Sequence, residues 1–240
     1  MGFLLATALA ATVVAGFPDP APLGPQRPFE PDVAGPANIE SGEVHVASDG
    51  TRHGVEVTFD GRRWTESGEK PAAARRFVFL FDDSVRFATD AFPTCARSVI
   101  ERHGFDACPA ESRVGSGRAE FYPSGVADVV VFNTRYDNGT RGMLITIPAT
   151  GGIFENTFER VSRPYRDDYA IASDEIMYPN ATPPQERPST SRFTVTFGAV
   201  RDGKSFVRTT ERPGKPLDFG VYSEYVTGEQ TLTRTTATRP

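Results

Sequence analysis

The feature that most narrows the fold is a two-residue rhythm of apolar and polar side chains. Val44 and Val46 flank His45; Val55, Val57 and Phe59 alternate with Glu56 and Thr58; Phe193, Val195 and Phe197 alternate with Thr194 and Thr196. Successive side chains of a strand point to opposite faces, so segments of this kind bury one face and wet the other. The runs Phe77 to Phe81 and Val129 to Phe132 are apolar at every position and β-branched or aromatic, which predicts central strands covered on both sides. Further strands are expected over 113–122, 142–147, 153–158, 205–209, 220–226 and 231–236, about eleven in all. Asp60-Gly61, Asp137-Asn138-Gly139 and Asp202-Gly203 read as hairpin turns between them. Crossover helices of an open α/β sheet are missing. The fold class is therefore all-β: an antiparallel β-sandwich, jelly-roll-like, with one short disulfide-bounded helix.

With 240 residues, 38% of them apolar, and 18 Phe, the chain can enclose a real core, and one domain over residues 42–240 accounts for the pattern. The net charge of −5 leaves no excess of cations for phosphates, so nucleic acid is excluded as a partner. Phe3 to Ala15 is an apolar run too short to span a bilayer. It reads as the core of a signal peptide over residues 1–15, with the small residues Val13 and Ala15 before a cleavage point at Gly16. Seven prolines between Phe17 and Pro36 make residues 16–41 a Pro-rich leader, expected to be disordered. No other segment approaches membrane-spanning length, so the mature chain is expected to be secreted without a transmembrane segment. Arg outnumbers Lys 23 to 3 with no clustering, as in a high-GC bacterium.

In an exported chain the only two cysteines, Cys95 and Cys108, are expected to be joined. The bond would close a loop of 14 residues around a helix from Cys95 to His103, capped by Thr94 and ended by Gly104. Its contribution would be about 3 kcal/mol by the chain-entropy account. Zinc is a poor alternative, since only His103 lies near the pair. The stretch Phe92-Pro93-Thr94-Cys95, followed by Cys108-Pro109-Ala110-Glu111-Ser112-Arg113-Val114-Gly115-Ser116-Gly117, resembles the Phe-Pro-x-Cys and Cys-Pro-x-x-Ser-x-Val-Gly-x-Gly motif of uncharacterised exported actinobacterial β-sandwich proteins. That resemblance covers Phe92 to Ala119 and implies export and a β-sandwich, but no catalytic residue. Physically the motif looks structural: Gly115 and Gly117 on a strand imply a bulge or a close backbone approach.

Nothing in the sequence assembles a catalytic centre. His45, His53 and His103 are dispersed, and no Gly-x-Ser-x-Gly elbow is present. The acid pairs Asp82-Asp83, Asp167-Asp168 and Asp174-Glu175 are adjacent, so on a strand they would point to opposite faces; they read as solvated turn acids or at most a calcium loop. No catalytic residue, metal or cofactor is expected. For binding, the candidates are aromatics taken to be exposed: Trp64, and Tyr165, Tyr169 and Tyr178 in an irregular loop from Tyr165 to Pro188. The expectation is an exported, non-catalytic envelope or extracellular binding or structural protein, with a glycan or envelope component as partner. The alternative is a secreted carbohydrate-active hydrolase on a jelly-roll scaffold, marked by two carboxyl groups facing each other across a concave sheet face.

Overall fold

A computed structural model describes residues 16–25, 27–177 and 181–240. The expected signal peptide and Tyr178 lie outside the described residues. In chain order the strands are β1 (Ile39–Ser48), β2 (Val55–Trp64), β3 (Ala74–Asp82), β4 (Val85–Phe87), β5 (Arg113–Phe121), β6 (Val126–Arg135), β7 (Arg141–Ile147), β8 (Gly152–Arg160), β9 (Tyr169–Ile176), β10 (Thr190–Phe197), β11 (Val200–Arg201), β12 (Lys204–Ser205), β13 (Val207–Thr209), β14 (Pro216–Tyr225) and β15 (Gln230–Thr238). Eleven form one antiparallel sheet in the order β1-β2-β10-β5-β6-β7-β8-β9-β3-β14-β15; β11 pairs with β12, and β13 with β4. The all-β class, the antiparallel pairing and the short helix α1 (Arg97–His103) stand as read from the sequence.

The alternating residues share one inner face. Phe59 on β2 meets Phe79 and Phe81 on β3 edge-on at 5.2 and 5.4 Å, and Phe219 on β14 at 5.8 Å. Since β2 stands second in the sheet and β3 ninth, these rings meet across the interior, and the sheet curls over on itself. Its two edges come together: the Thr231 hydroxyl on β15 donates to Glu40 on β1, and a Cβ at Gly42 would sit 3.1 Å from Thr233 Cγ2. No ladder bonds join β1 to β15, so a seam runs between them.

Phe77 to Phe81 is apolar on both faces for the reason expected. Val78 and Leu80, with Ala172 and Tyr222, form a second apolar layer outside the sheet, covered by Ala21, Val161, Tyr165 and Tyr169. The leader is therefore not disordered as composition suggested. Proline sets its extended backbone, but Asp19 bonds Arg76 at 2.9 Å and Arg27 bonds Asp174, which ties it to the sheet.

A third cluster holds α1. Cys95 and Cys108 are bonded, with Cα atoms 5.3 Å apart, and pack with Ile100 against Phe132 and Leu144. Thr94 does not cap the helix as expected; the N-cap is Ala96, which makes no side-chain bond, while Gly104 does end the helix at φ 85°. The segment from Phe92 to Gly117 is packed into the fold. Phe92 seals the interior against Phe206 at 5.3 Å, and buried Asn133 holds the carbonyls of Thr89, Phe92 and Pro93 at 3.0 to 3.1 Å. A Cβ at Gly115 or Gly117 would collide with the carbonyl oxygens of Thr196 and Thr194, so β10 approaches β5 more closely than side chains allow.

Two expectations fail. The supposed loop from Tyr165 to Pro188 contains β9, a strand in the middle of the sheet, concealed by its acids Asp174 and Glu175. Asp60-Gly61 is no turn but lies inside β2, because cross-strand pairing on both sides overrides the local turn preference. The signals at 137–139 and 202–203 do mark turns, with Gly139 at φ 86° and Asp202 and Gly203 at φ 49° and 70°.

Candidate functional site

The seam opens onto a cleft made by missing side chains. On β2 the inward positions are Val57, Phe59, Gly61 and Arg63, and on β1 they are Val44, Gly42 and Glu40. In the β1–β2 register Gly42 lies opposite Gly61, and Gly61 lies opposite Phe193 of β10. Two glycines thus face each other between a row of Val44, Phe59 and Val195 and a row carrying Glu40 and Arg63. A Cβ at Gly61 would meet nothing nearer than the Phe193 carbonyl oxygen at 3.9 Å, so the space is vacant. Glycine inside a strand weakens it and marks room for, or close approach of, another group.

The resulting cavity measures about 60 Å³ and is lined by Val44, Phe59, Phe77, Phe79, Phe193 and Val221, with Gly220, Thr233 and Thr235 on the far lip. A water needs ~10–15 Å³ on this measure, so the cleft holds several waters, or one ring or short acyl tail. Phe77, Phe193 and Val221 are only half-buried.

One wall is charged but neutral in sum. The Arg63 guanidinium donates to Glu40 Oε1 at 2.6 and 3.0 Å and to the Tyr225 hydroxyl at 3.0 Å, and lies over the rings of Phe77 and Tyr225 at 5.0 and 4.9 Å. Burial acts to raise the Glu40 carboxyl, but Arg63 with the hydroxyls of Thr231 and Tyr225 outweighs it and holds the group below its ordinary value. Burial drives the Tyr225 phenol upward. Both partners of the pair are therefore ionised and committed to each other. They can orient a polar head at the rim; neither is a free acid or base.

The adjacent acids do not converge. Asp174 and Glu175 point to opposite faces of β9: Asp174 takes Arg76 at 2.9 and 3.0 Å on the outside, while Glu175 is buried among inner-face residues beside Asn156. Burial pushes the Glu175 carboxyl up to about 8, with Asn156 opposing and Asp174 reinforcing the shift. Asp82 is not solvated; it is buried and accepts bonds from Ser84 N, Ser84 Oγ and Asp218 N at 2.9, 2.6 and 2.8 Å, fixing the turn after β3. Asp168 pairs with Arg234 at 3.1 Å, half-exposed.

Of the aromatics singled out for binding, Trp64 is 42% exposed beside Ile39 at the end of β2, outside the cleft lining. Tyr165 and Tyr169 are not surface platforms: at 1% and 2% exposure they cover the outer layer, their hydroxyls donating to the carbonyls of Pro18 and Phe219. An aromatic in a polar segment folds back where an apolar sheet face needs covering. The cleft glycines were legible in principle, since Gly42 and Gly61 fall at the inward parity of their strands. Among the described residues no helix is long and apolar enough to cross a membrane, and no group of three or more His, Cys, Asp or Glu is placed to hold a metal. No family model matches the chain, and neither does any curated protein or solved structure, so the reading of the seam rests on its own geometry.

Proposed function

We propose that the chain is an exported, non-catalytic binding protein of the envelope or extracellular space, and that an apolar ligand inserts a ring or short acyl tail into the seam between β1 and β15. The observation that carries this is Gly61, opposite Gly42, whose missing side chain leaves a vacant apolar space beside half-buried Phe77 and Phe193. Apolar surface left wet costs about 25 cal/mol per Å², and a ligand of matching chemistry recovers it. The apolar run before Gly16, the disulfide and the resemblance of Phe92 to Ala119 to a motif of exported actinobacterial proteins support export. The contacts of Phe59 across the interior support a flattened, sandwich-like closure of the sheet. The hydrolase alternative is disfavoured because Asp174 and Glu175 diverge and Glu40 is committed to Arg63.

The test uses N-phenyl-1-naphthylamine, which fluoresces on leaving water. The protein should bind it at roughly micromolar concentration, and Gly61→Leu, which fills the space, should weaken binding at least about tenfold with thermal unfolding unchanged. Trp64→Ala should leave binding alone. No fluorescence gain with the unaltered protein, or equal binding by Gly61→Leu, would sink the proposal.

A further inference from the structure

At the other end of β2 lies a second concavity of about 550 Å³, bounded by residues 51–53, residues 87–91 and the turn between β11 and β12. It is polar where the seam is apolar. Arg52, Lys204 and Arg208 border it, all exposed, and among the described residues none of the three side chains meets a carboxylate. Of the acids here, Asp90 lines the concavity and is held by Arg141, Asp202 pairs with Arg201 at 3.7 Å, and Asp49 accepts the Thr51 amide at 2.9 Å through one oxygen while its other oxygen is buried without a partner among the described residues. Three cations thus border one concavity of a chain whose net charge is −5.

The strand register sharpens the point. Arg208 on β13 stands directly opposite Arg86 on β4, and like charges facing each other across an antiparallel pair are destabilising. Arg86 turns back onto the carbonyls of Asp83 and Val85, both at 2.7 Å, and Arg208 is left without a partner. The wall behind the cations is rigid. Thr51 and Ser205 share a hydroxyl bond of 2.6 Å, the His53 carbonyl accepts from Thr209 at 2.9 Å, and the Arg52 carbonyl accepts from Arg239 at 2.8 Å. His53 Nδ1 is buried with no partner.

We propose that this concavity binds an anionic molecule of sugar size, its phosphate or carboxylate held by Arg52, Lys204 and Arg208 and its hydroxyls by Thr51, Ser205 and His53. Guanidinium forks match both oxyanions, and the volume lies within the ~300–1,000 Å³ usual for small-ligand sites. At ~3.3 Å per residue, His53 and Gly61 are about 25 Å apart along the strand, so this site and the seam take different ligands.

Titration calorimetry with glucose 6-phosphate, glucuronate and glucose tests it. At least one of the two anions should bind, more weakly as salt rises, and glucose should not. Tighter binding of the phosphate assigns a phosphorylated ligand; tighter binding of glucuronate assigns a uronate. Arg208→Gln alone should weaken binding several-fold, and the combined Arg52→Gln, Lys204→Gln and Arg208→Gln change at least about tenfold. All three residues are exposed, so thermal unfolding should not move. Gly61→Leu should leave anion binding intact, which separates failure here from failure at the seam. Absence of binding by either anion at about 10 mM, glucose binding as well as the anions, or unchanged affinity in the triple variant overturns the proposal.

Discussion

Glu175 shows how one side chain can make the stability of the fold depend on pH. Its ordinary value is 4.5 and burial moves it to about 8, so at neutral pH the folded chain holds a proton there that the unfolded chain releases. The folded state therefore gains most from this group below about pH 4.5, and the gain is lost as pH rises towards 8. Glu175→Gln keeps the shape and a neutral polar tip while removing the ionisation. It should be close to neutral at pH 5 and stabilising at pH 9, by roughly 2 to 5 kcal/mol. Urea unfolding at the two pH values checks this; the same pH dependence in both proteins would show that the carboxyl does not titrate with folding. Asp174, one residue away, faces Arg76 on the opposite side of the sheet.

The helix that the cysteines flank is small and rests on the sheet instead of supporting it. Helix α1 has seven residues and no side-chain cap, below the length at which helices hold themselves in water. What keeps it in place is the disulfide and the contact of Ile100 with Phe132 and Leu144. Replacing both cysteines by Ser should cost about 3 kcal/mol, while the β-type circular dichroism of the sheet persists. Loss of the sheet signal in that variant would mean that the disulfide organises the fold rather than stapling one corner. On β5, Gly115 and Gly117 let β10 press against the strand where any Cβ would collide.

In the whole molecule the leader acts as a strap. Arg76, 3% exposed, gathers Asp19 from the leader, Asp174 from β9 and Glu224 from β14, and Ala21 enters the outer apolar layer. Removing residues 16–36 would leave Arg76 without Asp19 and Asp174 without Arg27. Arg76 keeps Asp174 and Glu224, and Asp174 keeps Arg76, so each loses one charged hydrogen-bond partner of several, a cost of about 1 to 3 kcal/mol that for a domain of this size lowers the melting temperature by about 2 to 12 °C. A truncated protein that melts with the full chain would show that the strap is decorative.

Local rhythm settled most of the strands but not β9, that Phe77 to Phe81 is covered on both faces, and that Cys95 and Cys108 pair, because each follows from side-chain parity or from two thiols close in the chain. Parity says which face a residue takes but not which strand lies beside it. The insertion of β10 between β2 and β5, and of β9 between β8 and β3, therefore depended on contacts distant in sequence. Strand β9 holds because β3 supplies Arg76 to Asp174 and β8 supplies Asn156 beside Glu175; read alone, its acids look like loop. The seam has the same origin. A glycine in a strand is one missing side chain, and only the register that sets Gly61 opposite Gly42, with Thr233 of the far edge of the sheet closing over Gly42, turns the absence at Gly61 into a cavity.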